Sequence, residues 1–318
     1  MPETQTTEKA EFQKWKLIAV SFTLITNYLI CLWAIYAINT YGIALFIFIP
    51  VLLGFMPVMI LGRNAPLQNR QAFRIGLLTL LLFAAGLIIF AIEGVLCVLM
   101  CLPIAFIAMW LGVGIALYFV NKHPHRTTTI LIILLTSTFT TGYMEKDVQS
   151  SVRSVTTTMH INASPEAVWE NVIAFPKLDD PEELLFKTGI AYPTDATITG
   201  TGVGAVRHCN FSTGSFVEPI TVWDAPNLLK FDVEQQPAPM KELSFWDIDA
   251  PHLHDFFASQ RGQFKLIRQA DGTTLLEGTT WYRNNIRPNF YWNIWSDYII
   301  HNIHNRVLKH IKQNAERA

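Results

Sequence analysis

The sequence predicts a chain in two parts, a multi-pass transmembrane α-helical region followed by an α+β domain whose antiparallel sheet packs on a long C-terminal helix. Three observations predict it. Between Leu17 and Tyr143 the only charged side chains are Arg63, Arg70, Arg74, Glu93, Lys122 and Arg126. After Ser154 the apolar runs give way to β-rich segments separated by turn residues. The stretch Asn289 to Ala318 then runs without Gly or Pro. Placed at about 100° per residue, it gathers Trp292, Ile299, Ile300, Ile303, Val307 and Ile311 into one apolar stripe that needs a partner surface.

Composition narrows the function classes. With 318 residues there is room for two domains, and a charged fraction of 15% is low for a water-soluble chain. A net charge of −1 supplies no basic field for nucleic acid, so no nucleic-acid partner is expected. Cys31, Cys97 and Cys101 lie in apolar runs, which leaves Cys209 alone downstream and excludes a disulfide within the second domain.

Residues 1–16 are polar, and residues 17–144 form the membrane region. The run 17–38 is too long for a signal-peptide core and lacks a clear small-x-small cleavage site. A second span covers 41–62, with Pro50 and Pro57 inside it. Membrane helices tolerate proline because neighbouring helices and local adjustments satisfy the released backbone groups. The following apolar stretch is long enough for two spans of roughly 20 residues, taken as 75–92 and 95–120, with their turn at Glu93-Gly94 or near Pro103. The fifth span, 127–144, is the weakest, its apolar centre flanked by seven threonines.

Basic residues collect in short cytoplasmic loops. Here the N-terminus, the Arg63–Arg74 loop and the Lys122–Arg126 loop are basic, and the connections between them contain no Lys or Arg. Five spans then place the N-terminus in the cytoplasm and the C-terminal domain outside it, as in a protein of a bacterial inner membrane. If 127–144 only lies on the surface, the domain is cytoplasmic. Glu93 either sits in the interface at a turn or is buried with a functional role. On a continuous helix it shares a face with Cys97 and Cys101, where cysteine behaves as a small apolar residue.

After a linker at 145–153, the domain runs from 154 to 318. Val155–Ile161 is β-branched and reads as a strand. Ser164-Pro165-Glu166 opens a helix with an N-cap, a proline at its first position and an acid in its first turn. Val168, Trp169, Val172 and Ile173 face inward on it, and Phe175-Pro176 ends it. A short helix is expected at 181–186, then strands at 204–211, 215–223, 228–234, 260–269 and 273–284. Gly200-Thr201-Gly202-Val203-Gly204 is a turn between strands, since no helix follows to complete a phosphate loop.

The segment Ile161-Asn162-Ala163-Ser164-Pro165-Glu166-Ala167-Val168-Trp169-Glu170, with the element order from about Ser154 onward, resembles the opening of the START-like helix-grip (SRPBCC) superfamily, in particular its polyketide cyclase/dehydrase-like branch. The resemblance covers the C-terminal half only. It implies a curved antiparallel sheet gripping the last helix around an elongated apolar cavity for a lipid, sterol, polyketide or similar ligand. Binders, transporters and enzymes share that fold, so function must be argued from the site.

The expected function is a START-like domain that binds or handles a lipid or other apolar small molecule beside the bilayer. Its candidate ligand-binding residues are Trp246, His252, Trp281, Tyr282, Trp295, Tyr298 and His301. An enzyme of cyclase, dehydratase or hydrolase type is the alternative, with His252, His254, Asp255, Glu277 or His301 as acid or base. A membrane sensor or assembly factor with a partner-binding domain is a third reading. Asp297, His301 and His304 share one border of the last helix, since spacings of four and three bring side chains to one face. They are weak candidates for a zinc site, because their spacing matches no known signature. No cofactor is expected. The oligomeric state is left open.

Overall fold

A computed structural model describes residues 2–63, 67–244, 246, 248–254 and 256–317, with the side chains of 1–9 excepted. The chain divides into two compact units. One comprises Met1–Val148 together with Ser244–Pro251 and Ile286–Pro288, and the other holds the remainder.

The first unit is helical: α1 (Pro2–Leu32), α2 (Ile49–Gly62), α3 (Asn69–Ile89), α4 (Val95–Lys122) and α5 (Thr127–Glu145). With their flanking turns they give five helices long and apolar enough to cross a membrane, at Ala10–Ala37, Ala44–Gly62, Asn69–Ile89, Val95–Lys122 and Pro124–Glu145. The third begins earlier than hydropathy suggests because Arg70 and Arg74 sit within its first turns. The sharp turn falls at Glu93-Gly94, and Pro103 is inside α4. Helix α2 packs on all four others and is buried along most of its length. Its approach to α4 depends on two glycines. A Cβ at Gly54 would stand 2.2 Å from the Met109 carbonyl oxygen, and one at Gly112 would stand 2.1 Å from that of Val51. Small residues are what let two helices come this close. Glu93 is buried in the α3–α4 turn, where its Oε1 accepts a 2.8 Å hydrogen bond from the Tyr41 hydroxyl.

The second unit holds β1 (Arg153–Ile161), α6 (Pro165–Ile173), α7 (Leu184–Lys187), β2 (Pro193–Thr199), β3 (Val206–Phe211), β4 (Gly214–Asp224), β5 (Leu228–Asp232), β6 (Phe257–Arg268), β7 (Thr274–Asn284) and α8 (Asn289–Ala315). Ser164 caps α6, its hydroxyl accepting from the Ala167 amide. The strands form one antiparallel sheet in the order β1-β7-β6-β5-β4-β3-β2. Strand β2 has no counterpart in the sequence reading. It is an edge strand with Pro193 at its first residue, a position where a missing N–H costs nothing, and its polar content reads as loop. Gly200, Gly202 and Gly204 occupy positive φ in the β2–β3 connection.

Helix α8 packs on β1 and β7 at one side of the sheet and also on β2 at the opposite edge. A sheet that meets one helix from both ends must curl around it. Irregular registers in β2, β4 and β6 supply local bending. Leu229, Leu276, Leu308 and Ile311 are fully buried at the centre, with Ile161, Val168 and Val172 closing the same core from β1 and α6. This is the helix-grip arrangement.

Candidate functional site

Between the concave face of the sheet and α8 lies a cavity of about 130 Å³. Its walls are mainly apolar, with Phe211, Phe216, Phe231 and Phe264 from the sheet and Ile299 and Ile303 from the helix. Gly278 also lines it, where a Cβ would make only ordinary contacts, 3.6 Å from Leu308 and 3.7 Å from Phe264.

Two polar pairs line this space, alongside the single side chains Gln236, Ser259, Arg261, Gln263 and Thr279. On β3, the alternation of Arg207, Cys209 and Phe211 sends all three inward. Arg207 is directly opposite Glu218 of β4, and the two form a buried ion pair with side-chain exposures of 2% and 7%. The guanidinium also donates from Nε to the Ile173 carbonyl at 3.2 Å, and lies 5.5 Å from the rings of Phe175 and Phe231 and 5.6 Å from that of Phe264. Such a cage compensates a desolvated cation, since aromatic faces are electronegative. Burial pushes the Glu218 carboxyl above the ordinary range, against the pull of Arg207. Burial also pushes the Cys209 thiol up to about 12, so it remains a thiol and is a poor nucleophile at neutral pH.

The second polar pair is Thr280 with His304. The Thr280 hydroxyl is 2.8 Å from His304 Nε2, and both residues line the cavity. His304 Nδ1 lies 3.0 Å from the Thr157 hydroxyl, which is also 2.7 Å from Nδ1 of the exposed His301. Burial, and secondarily the charge of a protonated His301, lower His304 to about 4. It is therefore a neutral imidazole at pH 7.

The border of α8 is thus put to structural use. Asp297 is held by Arg153 and accepts a 2.6 Å hydrogen bond from the Tyr282 hydroxyl. Desolvation opposes its ionisation, but the Arg153 and Tyr282 hydrogen bonds win and hold its carboxyl below the usual range. Asp297, His301 and His304 do not form a group of convergent metal-ligand atoms. The physical reason is that Arg153 and Tyr282 take the carboxylate while Thr157 takes both imidazoles.

The residues singled out for ligand contact lie elsewhere. Trp246 and Tyr298 are exposed, and Tyr282 is fully buried in a small cluster with Val155 and Ile300. Trp281 stacks under Arg261, whose guanidinium is 4.7 Å from its ring. Trp295 is partly buried. None of Trp246, His252, Trp281, Tyr282, Trp295, Tyr298 and His301 lines the cavity. Among the acid/base candidates, His252 is buried with Nε2 3.4 Å from Glu242 Oε1, and His254 is exposed. Glu277 pairs in register with Thr158 and Lys265, one residue out of phase with the inward-facing Leu276 and Gly278. Asp255 lies outside the described residues.

Arg207, Glu218 and Thr280 escaped the sequence reading, although one signal was available. A two-residue turn at Ser212-Thr213 joins β3 and β4 and pairs Phe211 with Gly214. Counting back along that hairpin sets Arg207 opposite Glu218, an inward-facing charge pair.

The fold and cavity define an α+β domain of helix-grip architecture attached to a helical unit. No protein-family model matches the chain, and no curated protein matches it. Solved structures similar to it include a norcoclaurine synthase point mutant from Thalictrum flavum in complex with a transition-state analogue, at 13% identity. That match covers 54% of this chain and 98% of the other, with a TM-score of 0.35. A protein from Nitrosospira multiformis is 15% identical over 51% of this chain and 94% of its own, with a TM-score of 0.32. The protein XoxI from Bacillus cereus is 18% identical over 50% and 93%, also with a TM-score of 0.32. At these identities nothing about what this chain binds follows from them.

Proposed function

We propose that the C-terminal domain binds a small, largely apolar molecule in the cavity between sheet and α8, and that the helical unit anchors it in a membrane. The observation that supports this reading is the cavity itself, mainly apolar in its walls, with Arg207–Glu218, Thr280–His304 and further polar side chains such as Arg261 and Gln263 among them. Apolar walls with a few placed polar groups are the usual constitution of a ligand site. A dry void of about 150 Å³ takes a benzene-sized molecule, so a volume of about 130 Å³ suits one ring or a short chain. The catalytic alternative receives less support, since its described sequence candidates stand off the cavity and Cys209 is protonated.

Purified full-length protein, examined by native mass spectrometry and by solvent extraction, should carry an apolar molecule. Gly278→Leu should fill the cavity and release that molecule without unfolding the domain. A variant that retains it in full places the ligand elsewhere.

Tethering suits a ligand that partitions into the bilayer. The five apolar helices and the alternation of basic and non-basic connections support five spans, with the N-terminus in the cytoplasm of a bacterium and the domain beyond the inner membrane. A reporter fused after Ala318 should be active only outside the cytoplasm, and cytoplasmic activity rejects this orientation.

A further inference from the structure

Four side chains form a continuous chain of hydrogen bonds from the cavity to the protein surface. Thr280 meets His304 Nε2 at 2.8 Å, His304 Nδ1 meets Thr157 at 3.0 Å, and Thr157 meets His301 Nδ1 at 2.7 Å. Thr280 and His304 line the cavity, Thr157 is buried, and His301 is exposed.

The proton count along this chain restricts it to two arrangements. A hydroxyl has one proton, and a neutral imidazole donates from one nitrogen and accepts at the other. The Thr157 hydroxyl faces two imidazole nitrogens and has no other side-chain partner among the described residues, so using its one proton requires it to donate to one nitrogen and accept from the other. In the first arrangement His301 donates to Thr157, Thr157 donates to His304, and His304 donates from Nε2 to Thr280. The Thr280 proton is then available to the cavity. In the second every bond is reversed: Thr280 donates to His304 and presents only a lone pair to the cavity.

A protonated His301 carries hydrogen on both nitrogens, so of these two arrangements it permits only the first. His304 stays neutral in either, its buried position holding it at about 4. The ionisable groups around His301 are Asp297 and His304 on α8, Arg153 on β1 and Tyr282 on β7. Asp297 is already held by Arg153 and Tyr282, which leaves Thr157 as the acceptor for His301 Nδ1.

We propose that this relay makes Thr280 the specificity-determining group of the cavity, presenting a hydrogen-bond donor to a ligand carbonyl when His301 is protonated and admitting a hydroxyl ligand when His301 is neutral. The proposal rests on the cavity being the ligand site. It adds a chemical class, a compact apolar molecule with one carbonyl or hydroxyl oxygen, and a sensitivity of that choice to pH at the protein surface.

The test uses full-length protein in lipid nanodiscs with ¹⁵N-labelled histidine, followed by NMR between about pH 5 and 8, the range in which histidine changes charge. The His304 signals are identified by their loss in His304→Gln. As pH falls, His304 should move from mixed tautomers to the Nε2–H form alone without becoming charged. Thr157→Ser should keep this response and Thr157→Val should abolish it. Cyclohexanone and cyclohexanol then serve as ring-sized ligands, and the ketone-to-alcohol binding ratio should rise several-fold on acidification in wild type and stay flat in Thr157→Val. A His304 tautomer ratio independent of pH in wild type overturns the relay whatever the variants do. A relay that responds while neither ring compound binds overturns the ligand assignment, and with it the cavity reading, separately.

Discussion

Glu218→Ala isolates what the buried ion pair does. The substitution leaves the Arg207 guanidinium at 2% side-chain exposure with its carboxylate gone. Removing one partner of a buried pair costs about 3–5 kcal/mol, because the remaining charge is desolvated and uncompensated. Domains are stable by about 5–15 kcal/mol, so the loss is about a fifth of the total or more. For a unit of this size it lowers the unfolding temperature by roughly 6–20 °C. Replacing the pair as a whole should behave differently, since apolar substitution of a buried pair is often neutral or stabilising. Arg207→Met/Glu218→Leu gives up the contacts of Arg207 with Phe175, Phe231 and Phe264, so its expected stability is within about 2 kcal/mol of wild type. The assay is thermal unfolding of the full-length protein in detergent, followed by near-UV circular dichroism, with ligand retention scored in parallel. A double variant that is stable but empty assigns the pair to binding. The reasoning fails if Glu218→Ala unfolds within about 1 kcal/mol of wild type, or if the double variant is as damaged as the single one.

Because His304 is lowered from 6.5 to about 4, the folded state binds fewer protons than the unfolded state in that window. Stability should therefore be full above about pH 6.5 and fall by up to about 3 kcal/mol as pH drops toward 4, and His304→Gln should flatten that part of the pH–stability curve. Gly54→Leu forces a Cβ into the Met109 carbonyl and should destabilise the helical unit by about 1–3 kcal/mol or more. Gly114→Ala, with nothing within 4 Å of its Cβ, should be neutral or slightly stabilising, and heating in detergent with aggregation as the readout compares the two. Tyr282→Phe deletes one hydrogen bond to a carboxylate that keeps Arg153, so a loss of about 1.5 kcal/mol is expected in a chemical-denaturant titration.

Local pattern carried much of the architecture. Charge depletion marks the five apolar helices, the Ser164-Pro165-Glu166 cap starts α6, and the apolar stripe on α8 foretells a helix that must be covered. Each is a property of neighbouring residues under a fixed period, so it can be read without knowing what lies opposite. Strand β2 could not be read this way, because an edge strand faces solvent and needs no apolar alternation. The turn between α3 and α4 was open between Glu93-Gly94 and Pro103, because proline is tolerated inside membrane helices. In the structure α3 ends at Ile89 and α4 begins at Val95, so the turn falls at Glu93-Gly94 and Pro103 lies inside α4.

The site depended on pairings far apart in the chain. Asp297, His301 and His304 were correctly placed on one helix border, yet their roles were set by residues more than a hundred positions upstream. Arg153 takes the carboxylate and Thr157 takes both imidazoles. Aromatic residues near the C-terminus suggest a ligand wall, while the wall of the cavity uses Phe211, Phe216, Phe231 and Phe264, brought around α8 by the curl of the sheet. Helical and strand periods say which face a side chain takes. Only the closed sheet decides which faces meet, because that depends on strand order and register, which are tertiary quantities that no single segment encodes.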